Sequence, residues 1–218
     1  MKNIKEIFKN TVKCLTEKNI HPNEAQLEVS LLIENVFNYT KKDLILNPDL
    51  KAPENKLKKF NSLVKKRIEK KIPVQYLINK AYFMGEELYV DENTLIPRPE
   101  TEILVEEVLK KIADRKNTCL KIIDIGTGSG CIAIMLAKFL NKPEINNIKI
   151  TASDISKKTL EIAEFNAKKL GIQHKIKFIY SNIFENIDKN EKFDVIVSNP
   201  PYISIKEKEN LQIEVKKH

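Results

Sequence analysis

Leu120-Lys121-Ile122-Ile123-Asp124-Ile125-Gly126-Thr127-Gly128-Ser129-Gly130 decides the fold. A short run rich in isoleucine leads into three glycines at alternate positions, and Cys131 to Leu140 then reads as a helix. Glycines between a strand and a helix let backbone approach a ligand closely and aim helix N–H groups at it. The G-x-G-x-G form is not the dinucleotide spacing G-x-G-x-x-G, and no Lys-Ser/Thr follows as in a P-loop. Downstream, Ile148 to Ser153 reads as a strand, Ser156 to Leu170 as a helix, Lys175 to Tyr180 as a strand and Phe193 to Ser198 as another. This alternation predicts an α/β fold, a doubly wound parallel sheet with its ligand crevice at the carboxyl ends of the strands.

Those ends carry the candidate chemistry. Asp154 closes the second strand, where a carboxylate can accept from both hydroxyls of a ribose; it is equally placed to cap the helix beginning near Ser156. Asn182-Ile183-Phe184 follows the third strand, where a polar group and an apolar wall could flank an adenine. After the fourth strand comes Asn199-Pro200-Pro201-Tyr202. Two prolines stop the strand and stiffen the turn, holding the Asn199 amide and the Pro200 carbonyl beside an aromatic ring. An amide oxygen and a backbone carbonyl can together accept both hydrogens of a planar NH2 group. Localising electron density on such a nitrogen, opposite a sulfonium methyl, points to methyl transfer onto an amide or amine nitrogen.

Upstream, residues 1–72 read as a helical bundle. Ile4, Phe8, Val12 and Leu15 repeat at helical spacing, and Asn19 to Pro22 breaks the run. A second helix runs from Pro22 to about Phe37, Thr40 caps a short one, and a fourth follows Pro53. Residues 73–99 read as a link: Pro73 to Ile78 extended or a short turn, then a hairpin about Gly85-Glu86. Leu95-Ile96-Pro97-Arg98-Pro99-Glu100-Thr101-Glu102 holds Arg98 stiffly between prolines, and Glu100 or Thr101 can cap the helix that follows. Residues 100–218 then form the α/β domain.

Composition narrows the class. No stretch is long and apolar enough to span a membrane, and the N-terminus lacks the pattern of a signal peptide. Cys14, Cys119 and Cys131 are far apart and in no metal spacing, which fits a reduced, cytoplasmic setting and no metal. His21, His174 and His218 form no constellation. The net charge of +8 is concentrated in residues 51–80, where ten Lys/Arg face only Glu54 and Glu69. That segment is either a footprint for an acidic partner or RNA, or a solvated helix face. The scarcity of arginine favours the latter.

The Pro97-Arg98-Pro99-Glu100-Thr101-Glu102 stretch, the Asp124-to-Gly130 turn, Asp154 and Asn199-Pro200-Pro201-Tyr202 stand in an order that resembles the release factor glutamine methyltransferases, the protein-(glutamine-N5) methyltransferase family. The resemblance runs the length of the chain. It implies a Rossmann-like fold dependent on S-adenosylmethionine, and N5-methylation of the glutamine in the Gly-Gly-Gln motif of peptide chain release factors. By position, Gly126, Thr127, Gly128, Ser129 and Gly130 would hold the methionine end, Asp154 the ribose, and Asn182 and Ile183 the adenine. Asn199, Pro200 and Tyr202 would be catalytic, with Asn199 also against the cofactor. Pro201 and Arg98 would join them around the substrate, and the helical domain would dock the release factor. Asn79 departs from the family, which has Gly there. The chain also ends sixteen residues after Tyr202, where the family's domain continues. The expectation is a shortened domain of about four strands in the order 3-2-1-4. Two alternatives stay open: an adenine-N6 methyltransferase acting on RNA or DNA, and an inactive cofactor-binding fragment.

Overall fold

The computed structural model describes residues 2–113, 119–140 and 148–200. These fall into two compact units, residues 2–78 and residues 79–200.

The first unit is helical: α1 (Ile4–Thr16), α2 (Pro22–Phe37), α3 (Lys41–Leu46), α4 (Glu54–Lys70) and α5 (Val74–Ile78). Local chemistry fixes the ends. Asn3 caps α1, and Thr40 and Asp43 form a reciprocal capping box on α3. Ile4, Leu15, Val29, Leu32, Ile33 and Phe60 are fully or almost fully buried in one core. Within it the Arg67 guanidinium donates to both oxygens of Glu28, at 3.0 and 2.8 Å. The opposite face of α4 exposes Lys58, Lys59, Lys65, Lys66 and Lys70. The segment expected to be extended or a turn is helical, because the Pro73 carbonyl accepts from Tyr76 and Leu77 and starts α5.

The second unit opens with Asn79 at φ +55°, a left-handed conformation, its side chain donating to the Val90 carbonyl at 3.1 Å. Asparagine tolerates that region better than most residues, which explains how it stands where glycine is usual. A hairpin follows, β1 (Ala81–Phe83) and β2 (Glu86–Leu88), turning at Met84-Gly85 and so one residue earlier than expected. Both turn residues have positive φ, as a tight two-residue hairpin requires. Met84 is held there by donating its N–H to Glu102 at 2.7 Å.

Helix α6 (Pro99–Ile112) starts on Arg98, which has no side-chain cap bond; neither Glu100 nor Thr101 is the capping residue. Then come β3 (Leu120–Ile125), α7 (Cys131–Phe139), β4 (Ile148–Asp154), α8 (Lys157–Lys169), a 3₁₀ turn at Gln173–Lys175, β5 (Ile176–Tyr180) and β6 (Val195–Ser198). The sheet is parallel in the order β5-β4-β3-β6, as expected. Strand β3 is central and buried on both faces, the usual reason for a nearly unbroken apolar run. Residues Cys131 to Ala137 of α7 are all buried against it.

Candidate functional site

Strand register brings the candidate residues onto one line. Asp154 pairs with Tyr180, Ile125 pairs with both Ser153 and Ser198, and so Asp154, Gly126 and Asn199 follow side by side at the carboxyl edge. Parallel strands lie about 4.8 Å apart, so this row spans roughly 10 Å. It crosses the point where the strand order reverses, between β3 and β6, which is where open α/β sheets bind ligands.

The three glycines of the turn differ in purpose. A methyl group on Gly126 (φ +72°) or Gly128 (φ +58°) would meet no atom within 4 Å, so both border open space. On Gly130 it would lie 2.9 Å from Ile134 Cδ1 and 3.1 Å from Ala163 Cβ; this glycine lets α7 pack against α8. Four of the turn amides are engaged within the fold. Gly126 and Thr127 donate to the Ser153 carbonyl, Gly130 to the Thr127 carbonyl, and Gly128 to Asp154 Oδ2 at 3.1 Å. What the turn offers is a rigid, open cradle rather than a set of free donors.

Beneath the cradle Asp124 is fully buried. Its Oδ2 accepts from the Thr127 hydroxyl at 2.6 Å and the Ala133 N–H at 3.3 Å, while Oδ1 has no hydrogen-bond partner among the described residues. Burial pushes this carboxyl up to about 6, against the two hydrogen bonds, and the nearby Asp154 charge adds to the rise. Burial, with the Asp124 charge, also pushes the Cys131 thiol up to about 12, so it is not a thiolate at neutral pH. Thr127 and Ser129 are themselves buried.

Asp154 accepts Gly128 N–H on one oxygen and Ser156 N–H on the other. Each oxygen retains a lone-pair site for a hydroxyl. Ser156, not Asp154, caps α8. Asn182 is exposed and donates to Glu185, and Ile183 sits beside it at φ +51°. A β-branched residue in that region is strained, and strain of this kind gathers at ligand sites. Ile155, Ile183 and Phe184 present exposed apolar surface at this edge.

At the other end of the row, Asn199 Nδ2 donates to Thr101 Oγ1 at 3.0 Å. The amide nitrogen is thereby engaged, and Oδ1 is the end left to accept. Pro200 is exposed beside it, and Arg98 is exposed one turn before Thr101, whose N–H donates to the Arg98 carbonyl. Pro201 and Tyr202 lie outside the described residues. Among the described residues no cluster of His, Cys, Asp or Glu could hold a metal ion, and no helix is long and apolar enough to cross a membrane.

Comparison with known proteins agrees with this fold. The model of the methyltransferase small domain matches residues 99–215, and that of the PrmC N-terminal domain matches residues 6–78. Release factor glutamine methyltransferases of Chlorobaculum tepidum and Dictyoglomus turgidum are 35% and 42% identical to the chain over 98% and 92% of its length, covering 72% and 68% of theirs. The chain belongs to the release factor glutamine methyltransferase family. A further relative of that name, from Flavobacterium psychrophilum, is 45% identical over 83% of the chain. The chain covers 61% of that relative, so it spans less than two thirds of it. The fold is accordingly the Rossmann-like one of methyltransferases that use S-adenosylmethionine.

Two residues of this family member escaped the sequence reading. Thr101 was visible only as a potential helix cap. Asn166, fully buried in α8, accepts from Tyr89 N at 2.7 Å and donates to the Tyr89 and Ser129 carbonyls at 2.9 Å each. It ties the hairpin segment to the glycine turn. Its signal was a polar residue in register with the buried Ile162, Ala163 and Ala167 of the same helix.

Proposed function

We propose that the chain binds S-adenosylmethionine along the Asp154–Gly126–Asn199 row and methylates N5 of the glutamine in the Gly-Gly-Gln motif of peptide chain release factors. The residues fit the cofactor on three counts: an open glycine cradle, a carboxylate at one end with spare acceptor sites, and a strained apolar residue beside it. When bound, the cofactor supplies an electrophilic methyl whose S–C bond breaks, its electron pair staying on sulfur, as the N–C bond forms. Asp154 would accept from ribose hydroxyls, with Ile183 and Asn182 bordering the base and Gly126 to Gly130 the methionine end.

The substrate nitrogen is a poor nucleophile because its lone pair is conjugated. Asn199 Oδ1 and the Pro200 carbonyl oxygen would accept its two hydrogens, fixing its orientation and raising its electron density. Tyr202, Pro201 and Arg98 would border the same group. One N–H proton passes to water after transfer. Catalysis here is positioning and electrostatics, with no general base assigned.

The single observation that supports this reading is the engagement of the Asn199 amide nitrogen, which leaves Oδ1 as the end of the amide to accept. Residues 1–72 would serve as the docking domain for the release factor, residues 73–99 as the link and residues 100–218 as the methyltransferase domain, all acting in the cytoplasm. The test is mass spectrometry of the Gly-Gly-Gln peptide after incubating release factor with the chain and S-adenosylmethionine. A gain of one methyl on glutamine, lost in Asn199→Ala, is expected. The exposed lysines of α4 favour a second reading, adenine-N6 methylation of nucleic acid; N6-methyladenine in an RNA or DNA substrate, without methylglutamine, would establish it.

A further inference from the structure

We propose that Thr101 is a positioning residue that sets which end of the Asn199 amide faces the substrate. The inference rests on the methylation reading for its meaning, although the contact itself does not.

An asparagine amide has two ends of nearly equal size and opposite hydrogen-bonding character. With Oδ1 toward the crevice it accepts from a substrate NH2; turned by half a rotation it would set donor against donor. Nothing in the shape of Asn199 decides between them, so the decision falls to what it touches. Its Nδ2 lies 3.0 Å from Thr101 Oγ1, a residue 98 positions earlier and only 6% exposed.

Thr101 is well suited to this task. Its branched Cβ leaves few rotamers within a helix. The start of α6 is fixed in turn: Pro99 occupies its first position, Arg98 is extended before it, and Thr101 N–H donates to the Arg98 carbonyl at 2.9 Å. The stiff Pro-Arg-Pro stretch therefore anchors a hydroxyl, and the hydroxyl orients the amide. The Pro200 carbonyl needs no such device, because the backbone already fixes it.

The test compares Thr101→Val, which keeps the shape and removes the acceptor, with Thr101→Ser, which keeps the acceptor. With release factor and S-adenosylmethionine, Thr101→Val should lower kcat by about tenfold or more, the scale set by one lost hydrogen bond. The KM for S-adenosylmethionine should be unchanged, and Thr101→Ser should recover most of kcat. Wild-type kcat in Thr101→Val overturns the proposal, as does equal impairment in both variants. A second readout needs no turnover. In ¹⁵N-labelled chain, the Asn199 side-chain amide protons should exchange with water at least about tenfold faster in Thr101→Val than in wild type or Thr101→Ser. Unchanged exchange overturns the proposal too. If the wild-type chain methylates no glutamine the methylation reading falls, while the exchange rates still decide the role of Thr101.

Discussion

Gly128 and Gly130 sit two residues apart in one turn, yet replacing each with alanine should damage different properties. Both have positive φ, +58° and +84°, and an L side chain in that region costs about 1–2 kcal/mol. Gly130→Ala carries a further burden. Its methyl would lie 2.9 Å from Ile134 Cδ1, which can yield, but also 3.1 and 3.3 Å from Cβ and Cα of Ala163. The latter belong to α8, so relief requires moving a helix, and overpacking of this kind costs about 1–3 kcal/mol. Gly130→Ala should therefore lose about 2–5 kcal/mol in all. At Gly128 the added methyl meets no protein atom and should cost only the conformational part. It projects instead into the space assigned to the cofactor. The assay is urea denaturation followed by circular dichroism, paired with calorimetric titration of S-adenosylmethionine. Gly130→Ala should show the larger fall in stability, and Gly128→Ala a loss of binding of about tenfold or more from a largely folded chain. Equal stability losses, or wild-type affinity in Gly128→Ala, would refute the division of labour between these glycines.

Asp124 should make stability depend on pH in an unusual direction. Its carboxyl is raised from 3.8 to about 6, so between these values the native state holds a proton that the unfolded chain has released. Its contribution is present below the unfolded value and is lost as pH rises through that window, by about 3 kcal/mol, with no further change above it. Urea midpoints from pH 4 to 7.5 should show this fall in wild type and not in Asp124→Asn; parallel profiles would exclude it. In the helical unit, Glu28→Ala removes the counter-charge of buried Arg67 and should cost about 3–5 kcal/mol by urea denaturation. A loss below about 1 kcal/mol, the scale of a surface pair, would contradict a buried ionic contact. Asn166→Leu keeps comparable bulk but strands three backbone partners, and should cost about 3 kcal/mol or more. A melting temperature equal to wild type would show that Asn166 does not hold the hairpin segment to the glycine turn.

Which parts of this molecule a reader of the sequence can see depends on how far apart the causes lie. Strand β3 and its glycine turn are legible because the apolar run, the glycines and the following helix are contiguous, and each cause acts on its neighbours. The capping box at Thr40 is legible for the same reason, since Asp43 is within reach along the chain. The hairpin turn is misread by one residue because Met84 adopts positive φ with its N–H held by Glu102, eighteen residues on and in another element. The partners of the Gly126 and Gly128 amides are hidden from such a reader because their acceptors, Ser153 and Asp154, arrive from the neighbouring strand. Thr101 is the limiting case. Near the start of a helix its local chemistry says cap, and only the parallel pairing of β3 with β6 and the placement of α6 deliver Asn199 to its hydroxyl. Motifs thus reveal the residues that meet a ligand, because the ligand demands particular chemistry. The residues that orient them are chosen by the fold and need the three-dimensional structure to be seen.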